Sequence, residues 1–250
     1  MFGYSGGAFA TEWATEKRAW YARDLPIVGA VMGAPPPNVV KTYHNANNGK
    51  LAELNVAAVL GVMSAFPKVD KFIRDDFIDE EAKKLFLSPL TKCSLTCGEI
   101  TQGLAGANIS SFFKQGDYFL EEFKGTLEDI GVMGRNITWK NKPWYPLMIF
   151  NGDKDEITKP IEDTAELVRK WRRRTWTRVR HITLAGLDHT GGILGLPRAW
   201  LWIDNRFANV ERKWPVEGGP EDDGDEIIED PEDEMSRIEA QMILGPSHEL

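Results

Sequence analysis

The chain is short of cysteine and histidine, lacks long apolar runs, and has one segment with no positive charge. Two cysteines, Cys93 and Cys97, cannot build a disulfide-dense miniprotein or a four-thiolate zinc site. No stretch approaches the ~18 consecutive apolar residues of a membrane-spanning helix, which excludes one. Glu217 to Glu234 carries eleven acidic residues and no Lys or Arg. The formal net charge of −8 argues against a general nucleic-acid binder. Without that segment 27 acids face 30 bases, so the body of the 250-residue chain is mildly basic. Met1 to Ala10 has neither the charge nor the apolar core of a signal peptide. What is present is an apolar content of 42%, enough to build a sizeable core and to exclude wholesale disorder.

Gly3-Tyr4-Ser5-Gly6-Gly7 is a G-x-S-x-G pattern, which places a serine on a sharp strand-to-helix turn. Glycine suits such a turn because a Cβ beside the serine would meet the strand or the helix. Residues 8–21 read as the following helix, with Ala8, Trp13, Ala14, Trp20 and Tyr21 as its apolar packing. Ser5 would then sit at a helix N-terminus, where the Gly6 amide points toward a developing oxyanion. The pattern is short, and a glycine-rich turn before a helix is its plain structural alternative.

A serine nucleophile needs a histidine base, and the base needs an orienting acid. The histidines are His44, His181, His189 and His248. Residues 146–151 form a short apolar run that reads as a buried strand and ends in the Gly152-Asp153-Lys154-Asp155-Glu156 loop. A helix from Pro160 to Arg174 follows, with Pro160 suited to its first turn. Residues 178–184 read as another strand, ending in the loop that carries Asp188 and His189. Carboxylate and histidine thus follow two strands of one sheet, at the carboxyl edge where open α/β sheets place their sites. Asp153 is the rival to Asp155, whereas Asp188 adjoins His189 and points elsewhere. His181 lies inside a strand, His44 in a polar loop beside Asn45 and Asn47, and His248 in the tail. Residues 193–207 close this region as a helix.

The elbow with Ala8, Ala10-Thr11 and Trp13-Ala14, the Gly152-x-x-Asp155-Glu156-Ile157 loop, and His189 with Ile193 to Pro197 and Trp200-x-x-Ile203 together resemble the fungal secretory lipase family, the Candida lipase A-like α/β-hydrolases. The resemblance runs from Gly3 to about Phe207 with its motifs in family order. It implies Ser5 as nucleophile, Asp155 as orienting acid, His189 as base and the Gly6 amide as one oxyanion donor. It implies a secreted hydrolase of triacylglycerols and related esters, acting on a lipid or ester substrate through an acyl-enzyme, without metal or organic cofactor. An acyltransferase or short-chain esterase on the same residues, and a non-catalytic fragment, are the alternatives.

The expected fold is α/β: the C-terminal part of an α/β-hydrolase, with a mostly helical cap insertion and a disordered acidic tail. Residues 1–34 read as the elbow, its helix and the next strand (26–32), and 35–143 as the cap, with a helix at 51–66 and one or two amphipathic helices over 70–87. Residues 144–210 read as core with the acid and histidine loops, and 211–250 as the tail. Only Met1 and Phe2 precede Gly3, so the elbow strand, the second oxyanion donor and a signal peptide are expected upstream of Met1, leaving a half-sheet with an open edge. Asn108-Ile109-Ser110 and Asn136-Ile137-Thr138 are glycosylation sequons that fit secretion. By the resemblance, Cys93 or Cys97 is expected to pair with an upstream cysteine.

Overall fold

The computed structural model describes residues 1–91, 104–210 and 224–229, which divide into two compact units. One comprises residues 1–38 with the described residues from Met133 onward, and the other comprises residues 39–132.

The first unit is built on a parallel sheet, β1 (Phe2–Tyr4), β2 (Ala30–Gly33), β3 (Leu147–Gly152), β4 (Val179–Leu184) and β5 (Gly224–Ile228), ordered as in the chain. Helix α1 (Gly6–Tyr21) joins β1 to β2. Alternation along the strands sorts side chains onto two faces. Leu147 and Ile149 of β3 join Ala30, Met32 and Val179 beneath Ala8 of α1. Met148 and Phe150 join Val31, Ile182 and Leu184 on the opposite side. Every residue of β2 and β3 is buried, which accounts for their near-continuous apolar sequences.

Three expectations need correction here. The elbow strand is not missing: Phe2–Tyr4 pairs in parallel with Val31–Gly33. The second strand starts at Ala30 rather than at 26, because Ile27 N–H turns back to the Leu25 carbonyl before the ladder begins. The packing face of α1 is not the aromatic one. Trp20 and Tyr21 are exposed, and Thr11, Glu12, Thr15, Glu16 and Arg18 are buried. Two of these inward side chains meet main-chain partners. Gly134 N–H donates to Glu12 Oε1 at 3.1 Å, and the Arg18 guanidinium donates to the carbonyls of Arg23 and Leu25.

In Ile161–Thr175, a helix after β3, acids occupy the first turn and Arg172, Arg173 and Arg174 the last, matching the helix dipole. Its buried stripe of Leu167, Val168 and Trp171 packs on the Leu147–Ile149 face. The segment after β4 enters as a short 3₁₀ turn (Gly191–Gly195) before an α-helix over Leu196–Val210, whose Ala199 and Trp202 cover the other face.

The tail reading also changes. Gly224–Ile228, within the stretch expected to be disordered, forms strand β5 against β4. Ile228 is buried, and the acidic side chains meet arginines. Arg172 Nη1 lies 3.2 Å from Asp225, Arg180 Nη2 2.6 Å from Glu226, and Arg198 Nη2 2.7 Å from Glu226. Negative charge on this strand thus meets basic neighbours while remaining partly open to solvent. The remainder of 211–250, with His248, lies outside the described residues.

The second unit is helical: Val39–Ala46, Glu53–Ala65, Pro67–Asp76, Glu80–Leu87, Tyr118–Glu122 and Lys124–Gly131. The expected 70–87 segment divides in two at Phe77. That residue bridges to Phe113 in a cluster of aromatic edges with Phe86 and Phe119. His44, expected in a loop, lies exposed on the first of these helices. Cys93 and Cys97 lie outside the described residues.

Candidate active site

Ser5 occupies the residue between β1 and α1, with φ 53° and ψ −119°. A positive φ is costly for a residue with a Cβ, so the surroundings must hold it. They do so through the main chain: Ser5 N–H donates to the Gly33 carbonyl at 2.8 Å, and the Ser5 carbonyl accepts from Ala8 and Phe9. Gly6 opens α1 and belongs to the first turn, whose amides have no helical carbonyl to bond.

Asp155 lies in the loop after β3 and His189 in the loop after β4. The two loops are closely joined, Lys154 N–H donating to the Leu187 carbonyl and Asp153 N–H to the Leu184 carbonyl. The structure brings the three expected residues together. His189 Nε2 lies 2.9 Å from Ser5 Oγ, and His189 Nδ1 lies 2.8 Å from Asp155 Oδ2. The imidazole and the carboxylate are both nearly closed to solvent, at 7% and 3% side-chain exposure, so the bond between them is shielded from bulk water, while Ser5 is half-buried. The other carboxylate oxygen, Asp155 Oδ1, accepts from the amides of Ile157 at 2.9 Å and Thr158 at 2.8 Å. Burial alone would raise the Asp155 carboxyl. The hydrogen bond and charge of His189, with the two amides, outweigh it and hold the carboxyl below its ordinary value of 3.8.

The rival residues fall elsewhere. Asp153 caps the neighbouring turn through Gly186 N–H, and Asp188 caps its own through Gly191 N–H. His181 is a buried strand histidine facing Asn151 Oδ1 at 3.2 Å and Asp225 at 3.4 Å, and burial lowers its basicity. Two residues not singled out in the sequence also touch the site. Tyr4 Oη donates to the His189 carbonyl at 2.6 Å, and Glu156 Oε2 accepts from the His189 amide at 3.0 Å. Their one sequence signal is adjacency, Tyr4 to Ser5 and Glu156 to Asp155. Among the described residues, no group of three or more His, Cys, Asp or Glu is arranged to hold a metal ion.

A parallel sheet covered by helices on both faces, with serine, carboxylate and histidine in that chain order at the carboxyl ends of β1, β3 and β4, is an α/β-hydrolase fold. The chain belongs to the Secretory lipase family, whose profile matches residues 1–213. It is 35% identical over 176 residues to a trichothecene C-3 esterase of Fusarium sporotrichioides, covering 68% of this chain and 38% of that protein. It is 27% identical over 213 residues to lipase A of Arthroderma benhamiae, covering 84% of this chain and 43% of that one. The crystal structure of Candida antarctica lipase A shares the fold, with a TM-score of 0.73 at 21% identity over 96% of this chain and 56% of that one. The chain therefore spans less than half the length of these two curated relatives. Among the described residues, no helix is long and apolar enough to cross a membrane.

Proposed function

We propose that the chain carries the serine, acid and base of an extracellular ester hydrolase acting through an acyl-enzyme. The observation that carries this reading is the continuous relay from Ser5 Oγ through His189 to Asp155, at 2.9 and 2.8 Å. His189 takes the Ser5 proton as Oγ attacks the ester carbonyl. The Gly6 amide, at the start of α1, stabilises the oxyanion, and His189 returns the proton to the departing alcohol. Water activated by His189 then releases the carboxylic acid and regenerates Ser5. Asp155 stays ionised and holds the imidazole in the required tautomer. Residues 39–132, the middle of the expected 35–143 insertion, are the helical cap on this reading.

Triacylglycerols are the proposed substrate class, supported by family membership. A second reading, a short-chain esterase on the same residues, draws on the similarity to a protein named as an esterase rather than a lipase. A fluorophosphonate probe with p-nitrophenyl acetate and palmitate tests both. Wild type is expected to be labelled and Ser5→Ala not. Preference for palmitate supports the lipase reading, and preference for acetate the esterase one. Absence of labelling in folded wild type would overturn the assignment of Ser5.

A further inference from the structure

His189 is held at both of its peptide groups by side chains from the other two corners of the site. Its amide donates to Glu156 Oε2 at 3.0 Å, and its carbonyl accepts from Tyr4 Oη at 2.6 Å. Tyr4 directly precedes Ser5, and Glu156 directly follows Asp155. Each residue that bonds the imidazole is therefore adjacent in sequence to one that holds the imidazole's own main chain.

The need for such a hold follows from where His189 sits. Its loop runs from the end of β4 to the 3₁₀ turn at Gly191, and loops drift more than the elements they join. The imidazole must meet Ser5 on one nitrogen and Asp155 on the other, and a shift of ~1 Å in such a relay can cost about 10²-fold in rate. Tyr4 is suited to the task. Burial, followed by the nearby Asp155 charge, pushes its phenol well up, so it remains a protonated donor across any working pH. Its ring lies 5.8 Å from the His189 ring. Room for its hydroxyl depends on Gly192, where a Cβ would come within 2.5 Å of Tyr4 Oη.

We propose that Tyr4 and Glu156 are positioning residues that clamp the main chain of His189 and keep the base in register with Ser5 and Asp155. This rests on the reading of His189 as the base of an ester hydrolase. The test uses Tyr4→Phe, Glu156→Ala and Glu156→Gln in the full chain. It combines kcat and KM on a p-nitrophenyl ester with the proton NMR signal of the hydrogen between His189 Nδ1 and Asp155, which reports geometry without turnover. Tyr4→Phe and Glu156→Ala are expected to lower kcat by about 10- to 100-fold, with KM within about twofold, and to shift or broaden that signal. Glu156→Gln, whose amide oxygen accepts the same N–H, is expected to restore kcat to within about threefold of wild type. Full kcat with an unchanged signal in both Tyr4→Phe and Glu156→Ala overturns the proposal. So does a Gln variant as impaired as the Ala variant, since that outcome assigns the effect to charge. Should folded wild type show no turnover, the hydrolase reading fails separately. The NMR signal still decides the clamp: altered in the two variants it supports it, and unchanged in both it overturns it.

Discussion

Gly3 lies so close to the carbonyl group of Gly7 that a Cβ at residue 3 would fall inside it. The glycine of the elbow is therefore set by the packing of β1 against the first turn of α1, and the next turn cannot yield because it is backbone. Gly7 differs, since a Cβ there meets nothing within 4 Å. Gly3→Ala is expected to destabilise the chain by about 3 kcal/mol or more. Gly7→Ala is expected to be neutral or slightly stabilising, by up to about 1 kcal/mol in a helix. Urea denaturation of the two variants checks this, and equal midpoints would contradict it.

Asp155→Asn should uncouple the relay without emptying the site. The asparagine retains one oxygen for the Ile157 and Thr158 amides but presents an N–H toward His189, favouring the wrong tautomer. kcat on a p-nitrophenyl ester is expected to fall by about 10⁴-fold, as such exchanges do in serine hydrolases. Thermal stability should change far less than activity. Because His189 and the two amides hold the Asp155 carboxyl below 3.8, its own protonation should not limit activity at mildly acidic pH.

Glu12 and Glu16 form a buried carboxyl pair on α1 with a predictable pH signature. Burial first, and then the charge of Glu16 and the hydrogen bond with it, raise Glu12 well above its ordinary value of 4.5; Gly134 N–H and the charge of Lys170 oppose this. Burial raises Glu16 too, against the opposing hydrogen bonds of Glu12 and Asn136 and the charge of Lys17. A carboxyl raised in the folded state favours folding at low pH, and that contribution declines as pH rises above 4.5, where the unfolded chain ionises first. The decline is at most about 1.4 kcal/mol per pH unit per proton and ends once folded Glu12 ionises. Glu12→Gln is expected to flatten this decline and to be more stable than wild type at pH ~8, as checked by chemical denaturation across pH. Parallel pH profiles for the two proteins would refute this assignment.

Strand β5 should be held in a salt-dependent manner. Glu226 is bonded by Arg180 and Arg198 at partly exposed positions, where an ion-pair network is worth about 1 kcal/mol. Glu226→Gln is expected to lower Tm by about 2–4 °C at low ionic strength. The difference should shrink toward zero in ~1 M salt, where the screening length falls to about 3 Å. A variant difference that persists undiminished in high salt would exclude ion pairing as its cause.

The order of the three motifs, the strands at 147–152 and 179–184, and the helices between them are legible in the sequence because each is a local pattern. An apolar run ending in a glycine-rich loop states its own position at the sheet edge, and the motif residues inherit that edge. Asp155 and His189 are legible for that reason, and Ser5 through its glycine-flanked pattern. The inward polar face of α1 is not, because Glu12 meets the Gly134 amide and Glu16 meets Asn136, each more than a hundred residues away. Nor is β5, where eleven acids in eighteen residues read locally as solvated and arginines of three other elements, with His181, give Asp225 and Glu226 their partners. Local chemistry determined which residues meet at the site. The tertiary structure alone decided how they are held there, because the grip of Tyr4 and Glu156 on the His189 main chain joins atoms that no spacing in the sequence brings together.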